Sequence, residues 1–346
     1  MIFPLLRPAI HALDPERAHR LTIAALKLKP AGSRPRPGPL SIKLAGLEFP
    51  NPVGIAAGFD KDAEVPDAVL GMGFGFAEVG SITPLPQAGN PKPRLFRLSE
   101  DRAVINRMGF NNGGGKVALA RLEARKAHGG IVGVNIGANK DSDDRIADYA
   151  LMARMMAPVA SYLAINISSP NTPGLRALQD ESALTGLLDA VIAARDDAAP
   201  ENAPPIFLKV APDLEPADVD AIARIAIDRK LAALIVSNTT IERPDLKSAH
   251  RAEAGGLSGA PLKTKALQRM RDFRKATGGQ MPLIGVGGIS TAEDAWERIR
   301  AGASLVQIYS ALVYEGPGLA RTITRGIGRL MRRDGFDNIE QATGSE

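Results

Sequence analysis

Leu283-Ile-Gly-Val-Gly-Gly-Ile289, a helix-period segment over 292–301 and then Leu305-Val-Gln-Ile-Tyr-Ser310 decide how this chain is read. Two near-continuous apolar runs, each too short for a helix and separated by an amphipathic segment, describe strand, helix and strand of a buried parallel sheet. Working outward, the same unit recurs. Strands are expected at 53–57, 76–81, 131–136, 163–168, 206–211, 234–238, 283–287 and 305–310. Helices are expected near 62–72, 113–128, 144–159, 181–196, 216–229, 262–277, 292–301 and 317–333. Eight such units predict an α/β fold of the (β/α)8 TIM barrel type, whereas an open doubly wound sheet usually carries fewer strands and a G-x-G-x-x-G turn after its first, which is absent.

The 346 residues are 45% hydrophobic and 23% charged, the balance of an ordinary folded chain, and 35 Gly with 26 Pro imply many ordered turns. Cysteine is absent, which excludes disulfides, thiolate metal sites, iron–sulfur ligation and every cysteine-based mechanism. With four His an all-histidine metal site is not expected either. No apolar stretch approaches the ~20 residues that span a bilayer, and no signal-peptide layout opens the chain, so a cytoplasmic protein is expected.

The formal charge of +5 is concentrated. Arg7, Arg17, Arg20, Lys27, Lys29, Arg34 and Arg36 against Asp14 and Glu16 place the whole excess within residues 1–36, leaving a neutral body over 37–346. A distributed basic footprint for nucleic acid is therefore not expected. Met1-Ile-Phe-Pro-Leu-Leu-Arg-Pro8 offers a short apolar piece, and Asp14-Pro15 begins a second helix with Asp as N-cap and Pro at the first helical position. Leu21, Ala24 or Ala25, and Leu28 recur at helical spacing. Two short amphipathic helices result, ended by the Pro/Gly-rich linker 30–39. They either pack on the body as a lid or lie basic and apolar on an anionic membrane surface, and both roles are compatible.

In a barrel the carboxyl ends of all strands face one rim, where binding and catalytic residues collect. Here the ends carry Ala56-Ala-Gly-Phe-Asp-Lys61, Gly80-Ser81, Asn135-Ile-Gly-Ala-Asn139, Asn166-Ile-Ser-Ser-Pro-Asn-Thr172, Lys209, Ser237-Asn-Thr-Thr240, Gly285-Val-Gly-Gly288 and Tyr309-Ser310. Glycines after the seventh strand with a small polar residue after the eighth favour a phosphate cradle over a mere tight turn. Asn135, Asn166, Asn171 and Asn238 suit a flat heterocycle with amide edges. Lys209, inside an apolar strand, needs an anionic partner; Lys61 and Lys209 are each open to Schiff-base or anion-clamp roles. Ser169 reads as a nucleophile, a weak base or a turn residue. The long excursion after the second strand, with Asn106-Arg-Met-Gly-Phe-Asn-Asn112, supplies a wall of the site.

These motifs, with Pro91-Lys-Pro-Arg-Leu-Phe-Arg97, Ile167-Ser-Ser-Pro-Asn-Thr-Pro-Gly-Leu-Arg176, Gly255-Gly-Leu-Ser-Gly259 and Ile284-Gly-Val-Gly-Gly-Ile289, resemble the class 2, quinone-dependent, membrane-associated dihydroorotate dehydrogenases over nearly the whole chain. The resemblance implies FMN as cofactor and oxidation of (S)-dihydroorotate to orotate in pyrimidine biosynthesis, with a membrane quinone as final acceptor. It implies Ser169 as the base, a position where the cytosolic class usually has cysteine. For substrate it implies Lys61, Asn106, Arg107, Met108, Gly109, Phe110, Asn111, Asn166, Asn171, Asn238 and Thr239, with Thr172 and Phe110 bordering a water path. For the flavin it implies Ala57, Gly58, Lys61, Ser81, Asn135, Asn166, Lys209, Ser237, Gly259, Gly288, Tyr309 and Ser310, and for a quinone tunnel His19 and Arg97. A monomer held peripherally at the cytoplasmic face of the cell membrane through residues 1–36 is expected. The rivals are a phosphate-binding barrel aldolase or isomerase using Lys209 or Lys61, a flavin barrel acting on RNA, and a membrane scaffold without turnover.

Overall fold

The computed structural model describes residues 3–28, 32–172 and 174–346. The chain begins with helices α1 (Phe3–Ala12) and α2 (Pro15–Leu28). Asp14 caps α2 as expected, its carboxylate accepting the Arg17 amide at 2.9 Å. Of the expected linker, Pro30 and Ala31 lie outside the described residues, as do Lys29, Met1 and Ile2. A hairpin of β1 (Ile42–Leu44) and β2 (Leu47–Phe49) follows, which the sequence pattern did not announce.

The alternation then runs β3 (Val53–Ile55), α3 (Pro66–Leu70), β4 (Phe76–Ile82), an excursion with β5 (Leu95–Leu98) and β6 (Ala103–Asn106), α4 (Gly115–Ala124), β7 (Ile131–Ile136), α5 (Arg145–Met156) and β8 (Tyr162–Asn166). It continues through α6 (Glu181–Ala198), β9 (Ile206–Val210), α7 (Pro216–Asp228), β10 (Ala233–Val236), β11 (Gly256–Gly259), α8 (Lys263–Ala276), β12 (Leu283–Val286), α9 (Ala292–Arg300), β13 (Ala303–Ile308), α10 (Leu312–Glu315), α11 (Leu319–Arg333) and α12 (Ile339–Ala342). Among the described residues eight strands close in the order β10-β12-β13-β3-β4-β7-β8-β9, every pair parallel. This is the (β/α)8 barrel. Strands β5, β6 and β11 form a separate antiparallel sheet beside the mouth, so the excursion is ordered by pairing with a segment about 150 positions later.

Side chains two apart on a strand share a face, and this stacks the barrel interior in layers. Phe49 of the hairpin meets Phe76 edge-on, with ring centroids 5.2 Å apart, and Tyr162 stacks on Phe207 at 4.4 Å. Gly54 and Gly133 leave the room for these rings: a Cβ on either would fall within 2.3 Å of the Phe76 or Tyr162 ring. One step toward the mouth on the same strand faces come Glu78, Asn135, Lys209 and Gln307, all buried. The barrel is thus apolar at its base and polar beneath its rim.

Candidate active site

A cavity of about 570 Å³ opens above that polar layer, bounded by the strand ends, the excursion and the helix pair α1–α2. Its floor is one connected set of amides. Asn166 Nδ2 donates to Ser81 Oγ (2.9 Å) and Asn135 Oδ1 (3.2 Å), and the Ser81 hydroxyl donates to the same Asn135 oxygen. Asn135 Nδ2 in turn donates to Glu78 Oε1 at 2.9 Å. Gln307 Nε2 (2.7 Å) and the Tyr162 hydroxyl (3.1 Å) donate to Glu78 Oε2. Lys209 faces the cavity from this floor, and its Nζ has no hydrogen-bond partner among the described residues. Burial lowers its pKa, and the Glu78 charge opposes that shift.

The walls carry the remaining polar groups. Asn238 Nδ2 donates to Asn166 Oδ1 (3.2 Å) and Ser168 Oγ (3.0 Å), and Asn171 Nδ2 donates to Asn106 Oδ1 (3.2 Å). Two groups here, Asn111 Oδ1 and Thr239 Oγ1, are buried with no partner of their own, as is Thr172 Oγ1, which does not line the cavity. Such orphans are costly, roughly 1–3 kcal/mol each, unless a ligand or water satisfies them. Ser169 is buried on the cavity wall and its Oγ accepts the Asn171 amide at 3.3 Å. Lys61 Nζ donates to the Gly58 carbonyl at 2.8 Å; burial pulls its pKa down to about 8 against the neighbouring Asp62 charge. At the opposite wall Gly287 and Gly288 have positive φ, and a Cβ on Gly288 would sit 2.3 Å from the Lys263 Cα, so only glycine lets the loop pass the start of α8. Ser310 Oγ pairs with Ser258 Oγ at 2.7 Å.

Toward α1 and α2 the lining turns apolar, with Phe3, Ile10, Ala18, Ala25 and Leu26. His19 lies between the two regions. Its Nε2 is 2.7 Å from the Phe59 carbonyl and its ring meets Phe59 edge-on. Burial, assisted by the Lys61 charge, brings its pKa down to about 4, so the ring is neutral and Nε2–H donates. Arg97 also lines the cavity and donates to the carbonyls of His11 and Leu13, closing the end of α1.

Comparison with known proteins meets this geometry from outside. The family model described as dihydroorotate dehydrogenase matches residues 39–331. Proteins named dihydroorotate dehydrogenase (quinone) from Erythrobacter litoralis and Novosphingobium aromaticivorans are 73% and 67% identical to this chain, covering 100% and 99% of both partners. The chain belongs to the dihydroorotate dehydrogenase family. The dihydroorotate dehydrogenase of Eimeria tenella crystallised with ferulenol superimposes with a TM-score of 0.92 at 41% identity, over 96% of this chain and 95% of that one. As a dihydroorotate dehydrogenase the chain is a flavin-dependent oxidoreductase, and the aldolase or isomerase alternative is not favoured.

Most residues singled out in the sequence of this dihydroorotate dehydrogenase line the one cavity: Ala57, Gly58, Lys61, Ser81, Asn106, Met108, Gly109, Phe110, Asn111, Asn166, Ser169, Asn171, Lys209, Ser237, Asn238, Thr239, Gly259, Gly288, Tyr309, Ser310, His19 and Arg97. Two do not. Arg107 turns outward, pairing with Glu253 at 2.7 Å, donating to the carbonyls of Ala254 and Pro93, and covering the Phe96 ring at 4.6 Å. A carboxylate and an aromatic face hold the guanidinium there, so its side chain braces the excursion and does not face the cavity. Asn135 lies one layer below the surface, where it fixes Asn166 and Ser81. Sequence reading missed Glu78 and Gln307. The available signal was a carboxylate and an amide inside apolar strands, each two positions along from a residue that already faces inward. The expected apolar stripe of α2 also divides: Leu21 and Leu28 face solvent, while Ala18 and Ile23 are buried.

Proposed function

We propose that this barrel mouth oxidises (S)-dihydroorotate to orotate with FMN as the bound cofactor, and that electrons leave to a membrane quinone entering between α1 and α2. The overall activity, dihydroorotate oxidation with a quinone as acceptor in pyrimidine synthesis, is that of the family and of the relatives sharing two thirds or more of the sequence. One observation carries the assignment to this site: a single cavity joins the Asn, Lys and Ser set at the strand ends to an apolar opening under the helix pair.

The residues fit FMN. Lys209 without a hydrogen-bond partner, Gln307 with a free buried Oε1, and the glycine-lined loop at 287–288 beside Ser310 offer a cation, an amide and a backbone cradle to a flat ring bearing a phosphate. Ala57, Gly58, Ser81, Asn166, Ser237, Gly259 and Tyr309 complete that wall. When bound, FMN supplies the acceptor for the hydride leaving substrate C6. Ser169 takes the proton from C5. A serine hydroxyl is a weak base, so its contribution depends on position and on passing the proton onward, along a path bordered by Thr172 and Phe110. Lys61 pairs with the substrate carboxylate, while Asn106, Asn111, Asn171 and Asn238, with Thr239, take up the polar ring edges. Met108 and Gly109 shape the wall beside them.

Residues 1–36 form the quinone- and membrane-facing extension and 37–346 the catalytic barrel. Leu5, Leu6, Leu13, Leu21 and Leu28 are exposed, Leu28 by 88%, beside Arg7, Arg17, Arg20 and Lys27. Exposed leucines and basic side chains on the same two short helices suit peripheral contact with anionic lipid at the cytoplasmic face. No helix among the described residues is long and apolar enough to cross a membrane.

The deciding assay uses purified protein, expected to be yellow. Dihydroorotate should bleach the flavin under anaerobic conditions, and a ubiquinone analogue should restore it where fumarate or NAD does not. A colourless preparation that turns over, or a flavin that dihydroorotate leaves oxidised, would overturn the reading.

A further inference from the structure

Three strand-end loops that the proposed chemistry uses are tied together by a charged cluster that does not touch the cavity. Arg176, on the loop after β8, donates from Nε to the Ser168 carbonyl (3.3 Å) and from Nη2 to the Thr239 carbonyl (3.2 Å), and its Nη1 pairs with Asp213 at 3.0 Å. Ser168 adjoins Ser169, and Thr239 adjoins Asn238. One guanidinium therefore grips the peptide next to the base and the peptide next to a substrate amide, and is anchored on the loop after β9. Asp213 is nine-tenths buried as a side chain and holds more than Arg176. It accepts the Thr240 hydroxyl, the Ile241 amide (3.1 Å) and Lys265 Nζ (3.0 Å). A second tie runs beside it, the Ala211 amide donating to Gln179 Oε1 at 3.1 Å.

We infer that Arg176 and Asp213 are positioning residues for the oxidation of dihydroorotate, setting the separation between Ser169 and the Asn238–Thr239 amides. Neither lines the cavity, so neither binds substrate or flavin. The physical case is geometric. A planar guanidinium satisfies three acceptors from three loops in one rigid fork, which a lysine ammonium on a flexible stem does not reproduce. Ser169, a weak base, depends on placement, and displacement of about 1 Å at a reacting pair is worth on the order of 100-fold in rate. The proposed flavin contacts are spread around the barrel, on or just after β3, β4, β8, β9, β10, β11, β12 and β13, and only Asn166 and Ser237 adjoin the tied loops, so loosening the cluster acts on the substrate half of the reaction more than on the cofactor and quinone half.

The inference rests on the function proposed above, and the experiment keeps the two apart. Full-length protein carrying R176A, R176K, D213N or R176A with D213N is compared with wild type in three measurements: anaerobic flavin reduction by dihydroorotate, orotate affinity from the flavin spectrum, and reoxidation by a short-chain ubiquinone analogue. R176A and D213N are expected to slow flavin reduction about 10- to 100-fold and weaken orotate binding, with flavin content and reoxidation at wild-type levels. R176K recovers only part of the rate, and the double variant loses no more than the worse single, the mark of two groups acting as one unit. Reduction at the wild-type rate in R176A, additive losses in the double variant, or equal losses in reduction, flavin content and reoxidation would each overturn the positioning role. If R176A fails to fold, R176K and D213N decide by the same criteria. Failure of wild type itself to reduce its flavin with dihydroorotate would instead remove the proposed function.

Discussion

At the floor of the cavity Glu78 is fully buried and accepts three hydrogen bonds, and each amide above it is held by the next. Along α1, by contrast, no side chain is buried, and Leu5 is 81% exposed. One end of the cavity is fixed by a saturated polar network on a rigid barrel. The other is assembled from two short helices laid over the mouth, held by Arg94 to Glu16 (2.7 Å), Arg20 to Glu64 (2.6 Å) and His19 to the Phe59 carbonyl. The difference matches the two tasks. Proton and hydride removal from a small polar ring needs placement within a fraction of an ångström, whereas a lipid-soluble acceptor needs an apolar way in and tolerates looser walls.

The largest effect should come from the rigid end. Ser169→Ala removes the base and leaves the amide floor intact, since among the described residues the Ser169 hydroxyl accepts only the Asn171 backbone amide and bonds no floor side chain. Flavin reduction by dihydroorotate is expected to fall on the order of 1,000-fold, within the range carried by a positioned base, while flavin content and reoxidation by quinone stay unchanged. Stopped-flow absorbance of the two half-reactions measures both. Parallel losses in the two halves would erase the contrast between the regions.

The same contrast explains what was legible in the sequence. The eight strand and helix units were readable because burial on both sides forces continuous apolar runs, and 131–136 matches β7 residue for residue. The residues at the strand ends were readable because the barrel brings them to one rim whatever the loops do. Arg107 was not, since its direction depends on Glu253 and Phe96, remote in sequence. Nor was the hairpin before the barrel, whose strands are three residues each, nor the pairing of β6 with β11, which no local pattern encodes. Which face α2 presents was equally hidden. It carries apolar residues toward the cavity, the body and solvent at once, and periodicity alone assigns a single stripe.

That third face supports the next test. Burying one leucine in the headgroup boundary is worth roughly 1.5–2 kcal/mol, so Leu5→Glu combined with Leu28→Glu is expected to weaken partition onto anionic vesicles on the order of 100-fold. Neither residue lines the cavity. Turnover with a water-soluble dye acceptor should hold at the wild-type level while turnover with a long-chain quinone in vesicles falls. Cosedimentation unchanged by both substitutions would detach the helix pair from any membrane role.

The smallest effect concerns how firmly the helix pair sits. His19 is neutral when α2 is docked, because burial and the charges of Lys61 and Arg20 outweigh the Phe59 carbonyl and Glu16, bringing its pKa to about 4 from an ordinary 6.5. Between those values an undocked His19 takes up a proton that the docked one refuses, so acid favours undocking. The docked arrangement has its full strength above pH 6.5, weakens as pH falls through that window and has lost this contribution below about 4. At pH 5 the docking equilibrium is expected to be weaker on the order of 10-fold. Quinone turnover should then drop several-fold more between pH 7 and pH 5 than anaerobic flavin reduction, which depends on the barrel end alone. His19→Gln has no such proton to gain, and the excess loss should vanish in it. An excess that persists in His19→Gln would assign the acid sensitivity to another group, with Glu16 at the Arg94 ion pair the next to examine, since its pKa is held down by that pairing and its protonation lies further into acid.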